Sequence, residues 1–163
     1  MPAAQGRVRA PATVTVTATA DDPLAFQVLN EIGIIDQLAQ NRAARLLAPE
    51  LNLSQFVVLN HLTRLGEARS LVQIANAIQV TKGAMSNTVA RLQAKGLLNV
   101  LPDPLDGRGK QVSLTDAGRA ARRAAVGRLG DGLADIAAAV PPAGLTQALV
   151  VLRQLRVWFD AHR

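Results

Sequence analysis

The side chains best suited to a chemical role are concentrated in one segment of the chain. They are suited to recognising a partner through hydrogen bonds and charge. An Asn87 amide can make two hydrogen bonds to adenine, Ser86 can bond several base edges, and Ala84 can touch a thymine methyl group. Lys82 and Arg91 have the reach for phosphate or guanine. The predicted nucleic-acid contacts are Thr81, Lys82, Ala84, Ser86, Asn87, Thr88, Arg91, Asp106, Arg108 and Lys110.

The composition argues against bond-making chemistry. The 163 residues include no cysteine, no tyrosine and only two histidines, His61 and His162, which are far apart in sequence. No P-loop, HExxH or G-x-S-x-G motif is present. We therefore predict no catalytic residue, no cofactor and no metal site, and we do not expect an enzyme.

Positive charge is uneven along the chain. The net charge is +6, and the segment from Lys82 to Arg123 holds eight basic and three acidic residues, so it carries most of the excess. Such a concentration favours docking to a polyanion such as double-stranded DNA, whereas an even spread would serve solubility alone. Further candidate phosphate contacts are Lys110, Arg119, Arg122 and Arg123.

The elements that position these residues begin with two helices. Asp22 and Pro23 predict the start of a helix that runs for about seven turns until Pro49 stops it. A second helix is expected from a Ser54 cap, with Leu53 packing on Val58, to Gly66.

Two short helices follow with a three-residue turn between them. Ser70 and Gln73 form a capping box at the start of the first, and Thr81 caps the second, which is expected from Lys82 to about Lys95. This pattern is typical of a helix-turn-helix. The spacing of Met85, Val89 and Leu92 places these three side chains inward.

A hairpin and two more helices complete the pattern. Strands are expected at 97–101 and 110–114, with a glycine-rich tip between them where Arg108 can enter a narrow minor groove and Asp106 holds the loop. One long helix is predicted from Ala117 to about Val140, and a last one from Ala143 to His162. The fold class is thus mainly α with a small β-hairpin wing.

These elements suggest a division into four regions. Residues 1–21 are expected to be a flexible arm, 22–50 a dimerisation helix, 51–116 a winged helix-turn-helix domain and 117–163 further dimerisation helices. The first and last helices are too apolar for one small domain to cover, which predicts a homodimer. The predicted dimerisation residues are Leu24, Val28, Ile32, Leu145, Leu149, Leu152, Leu155, Trp158 and Phe159.

The order of elements and several motifs resemble the MarR family of winged-helix transcription regulators. The segments that carry the resemblance are Leu53–Phe56, the turn Gln79–Thr81, Arg91–Leu98, the wing pattern Asp103-x-x-Asp106-Gly107-Arg108, and Val112–Gly118. Two positions depart from the family pattern: Leu105 stands where many members have arginine, and Asn99-Val100 where many have an acidic–basic pair.

The resemblance implies a homodimer that binds a pseudo-palindromic operator and is released by a small anionic or aromatic effector. It also implies that Arg108 is the wing residue on DNA. Residues His61, Arg42 and Arg45 could border an effector crevice, although His61 also fits a plain helix surface. The absence of cysteine excludes the branch of the family that senses peroxide through a thiol.

The sequence therefore predicts a DNA-binding transcriptional regulator, by default a repressor. No run of apolar residues is long enough to span a membrane and no signal-peptide core is present, so a cytoplasmic location is expected. Two alternatives stay open: a winged-helix adaptor that binds proteins, and a DNA-binding protein without sequence preference.

Overall fold

The computed structural model describes residues 21–103 and 109–162. The predicted arm therefore lies outside the described residues, except for Asp21. The helices and strands are α1 (Leu24–Leu47), α2 (Leu53–Leu65), β1 (Arg69–Ser70), α3 (Leu71–Ile78), α4 (Lys82–Ala94), β2 (Leu98–Pro102), β3 (Lys110–Leu114), α5 (Asp116–Gly132), α6 (Ile136–Ala139) and α7 (Pro142–Ala161). The predicted class, mainly α with a small β-hairpin wing, is confirmed.

The chain divides into two compact units between Leu38 and Ala39, a boundary that falls within α1. The first unit contains the beginning of this helix, where the Gln27 amide donates to the Asp22 carbonyl at 2.7 Å. The second unit contains the remaining elements. The four-region division proposed from the sequence stays a prediction.

Local hydrogen bonds explain why α2, α3 and α4 begin where they do. Ser70 and Gln73 form the predicted capping box at the start of α3, and the Thr81 hydroxyl accepts from the Ala84 N–H at 3.2 Å. The predicted Ser54 cap of α2 is wrong: Asn52 is the cap and forms a capping box with Gln55. Asparagine is as good a cap as serine, and Gln55 completes the box only from this register. Leu53 is consequently the first helical residue.

A three-stranded antiparallel sheet with the order β1-β3-β2 supports the wing. Val100 lies opposite Val112, and Val112 lies opposite Arg69 on the other edge. The two-residue strand β1 was not predicted from the sequence. It is too short to show alternation, and it owes its strand geometry to pairing with β3.

One hydrophobic core holds the winged-helix domain together. It contains residues from the end of α1, the loop after it, α2, α3, α4, the sheet and α5, and the fully buried large side chains are Leu47, Val58, Leu59, Leu62, Ile74, Leu92 and Val112. Because each of these helices contributes a stripe to the same core, the orientation of α4 is fixed by its apolar residues.

The predicted single helix from Ala117 to Val140 is wrong, because α5 ends at Gly132 and a short α6 follows. The Arg42 guanidinium donates to the Gly132 carbonyl and pairs with Asp135 at 3.0 Å. This side chain satisfies one of the carbonyls that a helix leaves unpaired at its end, and Gly130 and Gly132 lower the helix propensity there.

Candidate nucleic-acid interface

The buried residues of α4 decide which side of this helix is available to a partner. Met85, Val89 and Leu92 are each 3% exposed or less and follow the four- and three-residue spacing of one helical face. At about 100° per residue, the opposite side of the helix passes through Gly83, Asn87, Ala90 and Ala94. All four of these residues are exposed.

Most of the predicted contacts on α4 are open to solvent. Exposed residues are Thr81, Lys82, Ala84, Ser86, Asn87 and Arg91, whereas Thr88 is half-buried. The Thr88 hydroxyl also donates to the Ala84 carbonyl at 3.1 Å, so its hydrogen is engaged within the helix. Thr88 is therefore the least available of the predicted contacts on α4.

The turn before α4 has a defined left-handed residue. Gln79 adopts φ 59° and ψ 44°, and its N–H donates to the carbonyls of Ala75 and Asn76. The Val80 N–H donates back to the Ala75 carbonyl at 3.0 Å. These bonds end α3 and turn the chain within three residues, which sets the angle at which α4 is presented.

The base of the wing is closed by residues on both strands. The Asp103 N–H donates to the Gly109 carbonyl at 3.0 Å, and the Gln111 amide donates to the Asp103 carboxylate at 2.8 Å. Sequence reasoning missed this role of Asp103, although it is the first aspartate of the Asp-x-x-Asp motif. Lys110 is exposed at the start of β3, and Asp106 and Arg108 lie outside the described residues.

A second set of hydrogen bonds joins the end of α4 to the start of α5. The Thr115 hydroxyl accepts from the Gly118 N–H at 2.9 Å and lies 2.8 Å from the Gly96 carbonyl, to which it donates. The Thr115 N–H donates to the Leu97 carbonyl at 3.2 Å. A Cβ atom on Gly118 would overlap this same carbonyl, so residue 118 must be glycine for α5 to approach so closely. The Thr-x-x-Gly pattern is thus a structural clamp, which we call the Thr115 clamp.

Two of the basic residues make hydrogen bonds to other parts of the same chain. The Lys95 ammonium donates to the Glu50 carbonyl at 2.6 Å and to the side-chain amide oxygen of Gln55 at 3.2 Å. Arg122 donates twice to the Asn60 side chain, at 2.9 and 3.2 Å. Not every positive charge counted in the sequence is therefore free for phosphate.

The residues predicted for dimerisation lie on surfaces that are largely open in a single chain. None of the described residues of α7 is buried, and Leu145, Leu149, Leu152, Trp158 and Phe159 are each 42–54% exposed. Leu155 is half-buried. On α1, Leu24 is exposed and Val28 and Ile32 are half-buried.

A cavity of about 500 Å³ lies between α2, β1, α3 and α7. Basic groups dominate its lining, which includes His61, Arg64, Arg69, Arg156 and one carboxylate, Asp160. The structure thus places His61 at a cavity, whereas Arg42 is engaged at the end of α5 and does not line this cavity.

Two sets of observations on the described residues concern other kinds of site. None of the helices in residues 21–103 and 109–162 is long and apolar enough to span a membrane. Within the same residues, no group of three or more histidine, aspartate or glutamate side chains is arranged to hold a metal ion.

The sequence of this part of the chain matches the model of a known protein family. Residues 50–109, which span α2 to the wing, match the model of the MarR family. The winged-helix part of the chain is therefore similar to the MarR family. The resemblance predicted from the sequence is confirmed, and the matched segment contains α4, its capped turn and the wing motif. No curated protein sequence matches the chain.

Solved structures of MarR-family proteins share the fold. The transcriptional regulator BldR from Sulfolobus solfataricus is 26% identical over 82% of this chain and 94% of its own, with a TM-score of 0.70. BpsR from Bordetella bronchiseptica, whose DNA binding is regulated by 6-hydroxynicotinic acid, is 28% identical over 77% of this chain and 98% of its own, with a TM-score of 0.59. A mutant of Escherichia coli MarR in complex with operator DNA is 22% identical over 82% of this chain and 99% of its own, with a TM-score of 0.63. At this identity the similarity concerns the fold alone.

Proposed function

We propose that this chain is a DNA-binding transcriptional regulator that acts as a homodimer on a pseudo-palindromic operator. The observation that carries this proposal is the exposed side of α4, which presents Lys82, Asn87 and Arg91, while the opposite side is buried in the core and the base of the wing is closed beside it. A helix of this kind fits a major groove about 12 Å wide, and its first residues meet the base edges.

The proposed contacts divide by their chemistry. Lys82, Arg91, Lys110 and the wing residue Arg108 neutralise phosphates or enter the minor groove, and they supply affinity for any sequence. The smaller groups on α4 read base edges. Asp106 is proposed to hold the wing tip.

Homodimer formation is supported by the apolar surface of α7. Five large apolar side chains that are each 42–54% exposed are more than a monomeric surface helix ordinarily presents. Two-fold symmetry then places two copies of α4 about 34 Å apart, one turn of the duplex, so the operator has two matching half-sites.

Regulation by a small anionic effector is supported by the cavity at His61. Its three arginines outnumber its one carboxylate, and its volume of about 500 Å³ lies in the usual range for small-molecule sites. The lining joins α7 to the helix-turn-helix, so a bound anion would couple the proposed dimerisation surface to α3. The effect of BpsR's ligand on its DNA binding is a precedent for such coupling.

The primary test is selection of bound fragments from random duplex DNA by the purified protein, followed by binding at several salt concentrations. We expect one enriched palindrome, and a slope of log affinity against log salt that falls by about 0.9 for each phosphate contacted. An Arg108→Ala variant should weaken binding to every sequence. Unchanged affinity of that variant at physiological salt would refute the wing assignment.

The same experiment separates the alternatives. Absence of salt-dependent DNA binding would favour a protein–protein adaptor, and equal affinity for operator and random duplex would favour a DNA-binding protein without sequence preference. Repression stays a prediction, and a reporter gene placed behind the selected operator would test it. Competition with small aromatic acids would test the effector, using Arg64→Ala and Arg156→Ala as variants of the cavity.

A further inference from the structure

The exposed side of α4 carries an unusual distribution of groups. Along the line opposite the core, Gly83, Ala90 and Ala94 have no side-chain polar atoms, and Asn87 lies between them. Ser86 and Thr88 lie toward the flanks of the helix, and the Thr88 hydroxyl is already bonded to the Ala84 carbonyl. Asn87 is therefore the central hydrogen-bonding group of the groove-facing side.

The chemistry of an amide limits what this residue reads. An asparagine side chain offers one donor and one acceptor side by side, which matches adenine N7 and N6 in the major groove. Guanine presents two acceptors there and is read best by arginine or lysine. On α4 those types occur only at Lys82, in the first turn, and at Arg91, in the last.

We infer that Asn87 determines base specificity and that each operator half-site has an A·T pair opposite it. The inference rests on the proposed DNA-binding function and sharpens it by naming the base. Ala84 is exposed and lies three residues before Asn87. Its methyl group is suited to contact a thymine methyl beside that base pair.

The local structure supports a rigid reading position. Asn87 is flanked by Met85 and Val89, both buried in the core, so its backbone cannot shift without disturbing the domain. Gly83 lies one turn earlier, and a Cβ atom there would meet nothing within 4 Å. The helix therefore leaves room for the groove floor beside the Asn87 amide.

The test compares the wild-type chain with Asn87→Ala on the selected operator and on a duplex in which the A·T pair is replaced by G·C. We expect the wild-type protein to bind the altered duplex roughly 5- to 150-fold more weakly. For Asn87→Ala, that ratio should approach one while the salt dependence is unchanged. The variant should fold, because alanine has the highest helix propensity and residue 87 is exposed.

Gln93→Ala provides the matched control. Gln93 is an exposed amide on the same helix, but it lies away from the line opposite the core, so its loss should leave the A·T preference intact. Loss of the preference in Gln93→Ala, its persistence in Asn87→Ala, or a selected half-site without a fixed A·T pair would overturn the inference. No sequence-selective binding by the wild-type protein would instead overturn the proposed function.

Discussion

The winged-helix domain and α7 differ in how their apolar residues are used. In the domain, one core is shared by the end of α1, the helices α2 to α5 and the sheet, and seven of its large side chains are essentially inaccessible to solvent. In α7, a comparable number of apolar residues produces no buried side chain among those described. The core of the domain is buried within one chain, whereas the apolar surface of α7 is left exposed, which supports the proposed homodimer.

The largest effect expected on the domain side comes from emptying its core. Leu62 is 2% exposed in α2, and Leu62→Ala should lower the free energy of unfolding by about 2–5 kcal/mol because it leaves a cavity. The loss should not depend on protein concentration. Chemical denaturation measures it, and Leu101→Ala, at a residue 64% exposed, should change stability by less than about 0.5 kcal/mol.

A slightly smaller effect is expected at the Thr115 clamp. Gly118→Ala places a methyl group against the Leu97 carbonyl, so the chain must shift at a cost of about 1–3 kcal/mol. Gly127→Ala is the matched control, since its new Cβ would meet nothing within 4 Å and should stabilise α5. A variant at position 118 as stable as the wild-type protein would show that the clamp is loose.

The α7 side of the comparison is tested by association. Trp158 is 54% exposed and stacks on His162 with a ring separation of 4.2 Å. We expect Trp158→Ala to weaken dimerisation by about 2 kcal/mol, roughly 30-fold, as buried tryptophans at interfaces do. Sedimentation at several concentrations measures the change. Val72→Ala removes an exposed apolar side chain from α3 and should not affect association.

The smallest effect is local to one helix end. Ser70→Ala removes the acceptor of the Gln73 N–H, and we expect it to lower the free energy of unfolding by about 1 kcal/mol. Asn52→Ala should behave alike at α2. Thermal unfolding at two protein concentrations distinguishes this loss from one at the dimer interface, because the difference from the wild-type protein should be equal at both concentrations here and unequal for an interface variant.

The sequence predicted the helix-turn-helix and the hairpin well because local patterns determine them. Ser70, Thr81 and the spacing of Met85, Val89 and Leu92 act within a few residues. The same reasoning failed at Ser54, where two capping residues compete within one turn, and at Gly132, where the helix ends against Arg42, 90 residues away in sequence. The roles of Asp103 and Thr115 depend likewise on contacts between elements.

The sequence predicted a set of candidate DNA contacts on α4, but it could not rank them by how exposed they are. Ser86, Asn87 and Thr88 were all predicted as contacts, but how exposed each one is could not be judged, since the inward face of a helix can be drawn only approximately from spacing. Burial of three apolar residues and the Thr88–Ala84 hydrogen bond separate them. The proposed contacts themselves await the DNA-binding experiments.

The Thr115 clamp has a mechanical consequence for any regulator built this way. Its hydrogen bonds tie the first turn of α5 to the residues that follow α4, so these parts must travel together as a single rigid piece. Further along α5, Gly127, Gly130 and Gly132 lower the helix propensity, so we expect bending of α5 there rather than in its first turn. In the proposed homodimer, a change in the distance between the two copies of α4 would then originate in that stretch, away from α4 itself.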